Sequence, residues 1–402
     1  MAAIRFLHVA DLHLDSPFKG LSSIPKNRWQ EIRESTFHAF ENMIQYAVTA
    51  KPDFVLIAGD IYDGENRSLR AQHLFQRGME ALQEVGVPVF ISHGNHDHLS
   101  GSWVRFQLPE NVQVFGQDVD TKTITVQETT VHITGFSYKE RHIREAMHSY
   151  YPIASGQGFH IGMLHGSLEG DKEHDVYAPF RQSDLVGKGY DYWALGHIHK
   201  RQVLQTDPAI VYPGNIQSRH RNERGKKGFY EVTLTKDKTD LQFIPCSVFI
   251  YDELEISCSN IIHANELISL VEQELKDYVE KNGNAILELT LSDITEETFE
   301  MLDASSREEW LAIFQESLDK HNPFILLKDL TINLPTSQLN EALILTEIWE
   351  GWESAEWKLA VKELYQHPKG SRYLPSLDGN FIEEVKKESK QLLTKAVSRG
   401  SL

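Results

Sequence analysis

Two cysteines, Cys246 and Cys258, are all that 402 residues contain, and no C-x-x-C pair occurs. Thiolate zinc sites, iron–sulfur clusters and a disulfide-stapled scaffold are therefore excluded, and a reduced intracellular pair is the expectation. Long apolar runs are missing too. No stretch approaches the roughly 18 residues that cross a bilayer. The opening residues Met1-Ala2-Ala3-Ile4-Arg5 lack the basic, apolar and small-residue zones of an export signal. A cytoplasmic, membrane-free protein is expected. No internal repeat and no low-complexity segment occurs.

Basic charge is scarce overall, 40 Lys+Arg against 58 Asp+Glu for a net −18, but the deficit is local. Residues 1–250 hold 26 basic and 29 acidic residues, residues 251–350 hold 5 and 22, and residues 351–402 hold 9 and 7. The acidity belongs to one later segment, so net charge by itself neither supports nor excludes a nucleic-acid partner.

What the chain does have is five short segments in which an apolar run leads into Asp, Asn and His. They are Asp11-Leu12-His13, Gly59-Asp60-Ile61-Tyr62-Asp63, Gly94-Asn95-His96-Asp97, His165-Gly166 and Gly196-His197-Ile198-His199. The runs before them (Ile4–Leu7, Phe54–Ala58, Val87–Ile91, Phe159–Leu164, Tyr190–Leu195) read as buried strands. Functional residues at several strand ends are how open α/β folds build active sites. Oxygen and imidazole donors without thiolate suit Mn, Fe or Zn. Two-metal phosphoester hydrolysis needs a bridging carboxylate and an attacking oxygen in line with the leaving group. If the segments are extended, a spacing of two places Asp11 with His13, and His197 with His199, on one side of the chain. Asn95 offers a carbonyl oxygen, and His96 beside it can serve as general acid, with Asp97 orienting the His96 ring and Asp63 orienting another.

Helical periodicity marks Arg28–Thr49 and Ser68–Glu84 between the first strands, implying parallel strands with right-handed crossovers. Shorter β-like pieces follow (Val112–Phe115, Thr123–Val126, Thr130–Thr134, Ile210–Tyr212, Gly228–Leu234, Leu241–Ile244) and read as a second, more antiparallel sheet. The fold class is thus α/β: a two-sheet sandwich flanked by helices over 1–250, a small acidic α+β capping domain over 251–335, and a helical C-terminal tail over 336–402. In the cap, Ser306 and Glu309 form a capping box ahead of a helix at Trp310–Leu318. In the tail, Trp349, Trp352 and Trp357 read as core or as a partner surface.

The ordered series Asp-x-His, Gly-Asp-x-x-Asp, Gly-Asn-His-Asp, His-Gly, Gly-His-x-His resembles the calcineurin-like metallophosphoesterase superfamily, and within it the SbcD-type DNA repair exonucleases of the YhaO-like branch. The resemblance implies a divalent-metal-dependent DNA exonuclease, with endonuclease activity as a further capacity. It implies two metal ions, manganese by preference: Asp11, His13 and His199 on one, Asn95, His165 and His197 on the other, Asp60 bridging, and His96 as catalytic acid. It also implies an SbcC-type coiled-coil ATPase partner bound through the tail, and a homodimer through the Ser68–Glu84 helix. Superfamily phosphatases carry Arg-Gly after the second aspartate. Here Asp63 is followed by Gly64-Glu65, so the arginine that clamps a phosphomonoester is missing and a diester is favoured.

Downstream, Tyr212-Pro213-Gly214-Asn215 leads into Arg219–Lys227, which holds five basic residues in nine. Asn215, Arg219, Arg221 and Arg224 are the expected contacts to DNA phosphates. The alternatives are a small-molecule or cyclic-nucleotide phosphodiesterase, which has no use for this loop, and a non-enzymatic subunit of a DNA-bound ATPase complex.

Overall fold

The computed structural model describes residues 3–18, 26–64, 68–101, 106–170, 176–319 and 324–333, with 335, 352, 354–366 and scattered positions from 382 to 389. Trp349 and most of the expected tail lie outside the described residues.

β1 (Ile4–Val9), β2 (Phe54–Ala58), β3 (Val89–Ser92) and β4 (Val112–Val114) pair in parallel. β11 (Gly228–Leu234) and β12 (Thr239–Pro245) extend the β1 edge antiparallel, in the order β12-β11-β1-β2-β3-β4. The second sheet runs β5-β6-β7-β8-β10-β9, from β5 (Asp120–Val126), β6 (Thr129–Gly135), β7 (Phe159–His165), β8 (Tyr192–Gly196), β9 (Gln202–Thr206) and β10 (Ala209–Tyr212). Its centre, β6 to β8 and β10, is parallel, and only the edges β5 and β9 are antiparallel.

This corrects two sequence expectations. The second sheet is not mainly antiparallel, and β4, β11 and β12 belong to the first. A strand buried on both faces looks alike in either sheet, so its neighbours are chosen by packing and not by its own pattern.

Alternation along the strands builds the layers. Phe6, Phe54, Leu56 and Phe90 face Val131, Ile133, Phe159, Ile161, Met163 and Tyr192 in the core between the sheets. Leu7, Val9, Val55, Ile57, Val89 and Ile91 face outward and are covered by Phe37, Phe40 and Met43 of α1 (Lys26–Ala50) and Phe75, Met79 and Leu82 of α2 (Leu69–Glu84). Ser68 caps α2 by accepting from the Ala71 amide. The outer face of the second sheet is closed by an aromatic layer that includes Tyr138, Tyr151, Tyr190 and Trp193, joined by Leu185 of the short helix α3 (Gln182–Val186).

The chain divides into two compact units, with a boundary at Asp252/Glu253 and Gly283–Ile286 counted with the first. The second unit is built on a sheet β13-β14-β15 (Ile250–Ser257, Ala285–Ser292, Ile325–Ile332) with helices α4 (Ala264–Asn282), α5 (Glu296–Asp303) and α6 (Arg307–Asp319). Ser306 and Glu309 exchange amide–side-chain hydrogen bonds of 3.2 Å ahead of α6. Helix α5, capped by Thr295, had not been expected. At 8 residues it is too short to show a periodicity. A further helix, α7, spans Ser354–Gln366. No helix among the described residues is long and apolar enough to cross a membrane.

Candidate metal centre

All five motifs leave the C-terminal ends of parallel strands: β1, β2 and β3 in the first sheet, β7 and β8 in the second. Facing edges of the two sheets therefore deliver their ligands to one place. The approach is close enough to demand glycine. A Cβ on Gly59 would sit 2.1 Å from His165 Nδ1, and one on Gly94 would sit 2.3 Å from Asp60 Oδ1.

The ligand segments are not extended, contrary to the spacing argument. Asp11, His13, Asp60 and His197 all have positive φ, at 51°, 43°, 49° and 101°. The amides of Asp11, His13 and Leu14 still bond to Gly59, Asp60 and Ile61 carbonyls of the neighbouring loop. The two loops keep pairing while individual residues flip left-handed. Such a conformation costs a non-glycine residue of order 1–3 kcal/mol, and its concentration here marks a functional site.

Asp11, His13 and His199 bring donor atoms within 4.8 Å of one another, and so do Asp11, Asp60 and His165. Asp60 lies between the groups: its Oδ2 is 3.7 Å from His13 Nε2 and 3.4 Å from His165 Nε2. Asn95 Oδ1 is 2.9 Å from His165 Nε2. His197 is placed differently. Its amide donates to both Asp11 oxygens at 3.1 Å, and its ring centre stands 5.3 Å from that of His165, but its nitrogens join neither donor group.

The tautomers test whether a cation fits. Glu223 Oε1, an acceptor, lies 2.6 Å from His199 Nδ1, so Nδ1 carries the proton and Nε2 presents a lone pair. His13 Nδ1 faces Asp63 Oδ1 at 3.4 Å, an ion-pair distance rather than a formed hydrogen bond, with the same consequence. The two Nε2 atoms are 3.0 Å apart. His165 Nδ1 donates to the Ala58 carbonyl at 3.1 Å, turning its Nε2 to Asn95 Oδ1 and Asp60 Oδ2. Electron pairs converging in two buried spots call for cations. The residues present fit a pair of divalent ions.

The titration shifts agree. Burial, reinforced by Arg219, lowers His13 to about 4 and lowers His199. Burial raises Asp11 to about 6. Burial works against charge on Asp60 and His165 as well, yet their mutual attraction wins. It holds Asp60 well below the carboxylate range and, with Asp11, lifts His165 to about 9. A proton on His165 thus does what a metal would do.

His96 has a 30% exposed side chain, against 22% for His199 and none for His13 and His165. Its Nδ1 lies 3.2 Å from Asp63 Oδ1 and its amide donates to Asp60 Oδ1 at 2.9 Å. Burial opposes protonation, but Asp63 outweighs it and His96 is raised. Its orienting carboxylate is Asp63, not Asp97. Asp97 accepts from the amides of Ile61 (3.0 Å) and Gly94 (2.7 Å) and pairs with His93 Nδ1 (2.9 Å). It ties two motif loops together, because neighbouring residues point to opposite sides.

The loop after β10 reaches the same place. Arg219 Nη1 donates to Asp63 Oδ1 (3.3 Å) and Ser16 Oγ (3.4 Å), and Nη2 is 3.2 Å from His199 Nδ1. Arg221 and Arg224 are exposed. Asn215, expected at a phosphate surface, is buried, its amide donating to Glu223 Oε2 and the Gln217 carbonyl, both at 2.8 Å. Glu223 itself was missed, since a lone acid in a basic run reads as a solvated residue. Ser16 was missed as well. Its hydroxyl donates to Asp63 at 2.8 Å, a contact with no local signature.

One carboxylate (Asp11), one amide (Asn95) and several imidazoles gathered around the shared Asp60 are the donor set of a two-metal phosphoester-cleaving centre. A family model for calcineurin-like phosphoesterases matches residues 4–201. The chain is 35% identical over 399 residues, 97% of each chain, to YhaO of Bacillus subtilis, an uncharacterized metallophosphoesterase. It is 26% identical over 278 residues (65% of this chain, 69% of the relative) to the DNA double-strand break repair protein Mre11 of Methanocaldococcus jannaschii. To the Mre11 of Aeropyrum pernix it is 28% identical over 226 residues, 52% of this chain and 53% of that one. The chain belongs to the calcineurin-like phosphoesterases, metal-dependent hydrolases of phosphoesters.

Proposed function

We propose that this phosphoesterase is a DNA nuclease, cleaving phosphodiesters chiefly as an exonuclease and in the service of DNA repair, with manganese as the working metal. The observation that carries the reading is the Arg219 guanidinium, 3.3 Å from Asp63 Oδ1. No arginine follows Asp63 in sequence; the guanidinium at the centre comes by another route, from a loop that also exposes Arg221 and Arg224, a row of cations that suits a chain of phosphodiesters rather than one phosphomonoester. A phosphate at the centre would meet Arg219, and its neighbours along a strand would meet the exposed arginines. The similarity to the two Mre11 proteins supports the same reading.

Bound divalent ions supply Lewis-acid activation of a water and neutralise charge on the non-bridging oxygens. The chain supplies the rest. Asp11, His13 and His199 would hold one ion, and Asn95 and His165 the other with His197 beside them, while Asp60 serves both. His96 keeps Nδ1–H on Asp63 and offers Nε2 to the leaving oxygen, to which it delivers a proton. Arg219 takes a non-bridging oxygen in a planar, two-point grip that lysine does not reproduce. An SbcC-type coiled-coil ATPase, a second copy of the chain and a cytoplasmic site of action belong to the same proposal.

The test is cleavage of end-labelled duplex and single-stranded DNA with Mn2+, Mg2+ or neither. Metal-dependent shortening from the ends is expected. Intact DNA under every condition, with a small phosphodiester still hydrolysed, would overturn the DNA reading.

A further inference from the structure

Behind the metal centre, Glu223 joins a ligand histidine to the basic loop. Although it sits among five basic residues, it is buried to 6% exposure. Its Oε1 accepts a hydrogen bond from His199 Nδ1 at 2.6 Å and lies 3.3 Å from His220 Nε2 and 3.9 Å from Arg219 Nη2. Its Oε2 accepts from the Arg219 amide at 2.7 Å and Asn215 Nδ2 at 2.8 Å. The Glu223 carbonyl accepts from Ser218 Oγ at 2.6 Å. From the other side Lys227 Nζ donates to the His199 carbonyl at 3.1 Å. Only Oε1 serves the metal-centre histidine, while Oε2 accepts from the backbone and Asn215 of the loop that carries Arg219.

From this division we infer that Glu223 is a positioning residue that couples the ion held by Asp11, His13 and His199 to the Arg219 loop. It does so by locking His199 in the tautomer with Nε2 unprotonated and by seating the turn that brings Arg219 to Asp63. The inference rests on the two-metal reading of the site and adds a residue that none of the strand-end motifs contains. An outer carboxylate on a ligating imidazole fixes its ring and raises its basicity, and losing it typically costs 10–100-fold in metal affinity. Only one of the two sites should feel it, because His165 takes its orientation from the Ala58 carbonyl.

Glu223→Gln separates this role from mere packing. The amide keeps the volume but presents a carbonyl oxygen to only one side, so it cannot satisfy both the His199 donor and the loop donors. Titration calorimetry of the full chain with Mn2+ alone is expected to show two sites in the native protein. In the variant one site is weakened about 10–100-fold and the other is unchanged. Nitrogen NMR on labelled histidine is expected to show His199 protonated at Nδ1 in the native chain and mixed in the variant. In a His199→Asn background the Glu223 change should weaken Mn2+ no further, since coupled residues are non-additive. If Glu223→Gln does not fold, Glu223→Asp, shorter by one methylene, is expected to weaken the same site. Two sites within twofold of native in whichever variant folds would overturn the inference while leaving the metal centre standing. Equal weakening of both sites would reduce Glu223 to packing and overturn it too. A native chain that takes up no Mn2+ would sink the metal centre itself, and this inference with it.

Discussion

The Nε2 atoms of His13 and His199 stand 3.0 Å apart across 186 positions of sequence. Each ring has its other nitrogen turned to a carboxylate, Asp63 for His13 and Glu223 for His199. Two lone pairs aimed at one buried point make this place poorly stable without a cation.

Metal should therefore stabilise the first unit. A ligand at about 100 times its dissociation constant adds about 2.7 kcal/mol to the folded state. Thermal denaturation with excess Mn2+ is expected to give a higher Tm than with a chelator, and the gap should grow with metal concentration. Superimposed melting curves would contradict the cation account of the His13–His199 pair.

His96→Asn should lower kcat by 10²–10⁴ while leaving Mn2+ binding intact, since His96 converges with His13 and Asp63 and not with the Asp11–His13–His199 or Asp11–Asp60–His165 groups assigned to the two ions. The loss should shrink on a diester with a p-nitrophenolate leaving group, which needs no proton. Because Asp63 raises the His96 pKa, the acid form survives above the usual histidine range, and activity should fall only as pH rises through that raised value. An alkaline limb unchanged in His96→Asn would refute the assignment.

Arg219→Ala should raise KM for DNA and flatten the dependence of log KM on log salt by about one unit, as loss of one phosphate contact predicts. Hydrolysis of a small uncharged-tail diester should suffer less. Arg219→Lys should not restore the native value, because Nη1 serves Asp63 and Ser16 and leaves the other guanidinium nitrogens for a phosphate, a division that one ammonium nitrogen cannot make. Equal losses on DNA and on the small diester would favour a small-molecule phosphodiesterase.

Between the sheets, His8 gives the fold a pH dependence of its own. It accepts from the Tyr192 hydroxyl at 2.9 Å and donates to the Leu195 carbonyl at 3.0 Å. Burial lowers it from 6.5 to about 3. Between those values the unfolded chain binds a proton that the folded chain refuses. Its contribution is complete above pH 6.5 and is lost as pH falls, by up to about 1.4 kcal/mol per unit. In urea titrations from pH 7 to 4.5, His8→Gln should show a shallower decline than the native chain. Parallel declines would show that the histidine does not titrate this way.

Much of the site is legible because the chemistry sits where local patterns are strongest. Buried strands announce themselves as apolar runs, and Asp11, Asp60, Asn95, His165 and His199 follow directly on their ends. Gly59 and Gly94 stand in the same motifs because facing sheets leave no room for a Cβ. The helices α1 and α2 show the 3.6-residue stripe that their cover of the first sheet requires.

Sequence by itself determined the ligand types, their strand-end placement and the α/β class, because propensity, periodicity and motif order are properties of neighbouring residues. Tertiary structure alone decided which sheet each strand joins, which backbones flip left-handed, and that Asp97 serves His93 while Asp63 serves His96. It also brought Arg219 to Asp63 and Glu223 to His199. Those contacts are made by closing long stretches of chain around a shared charge. Their energy depends on burial and geometry in three dimensions, which no window of sequence contains.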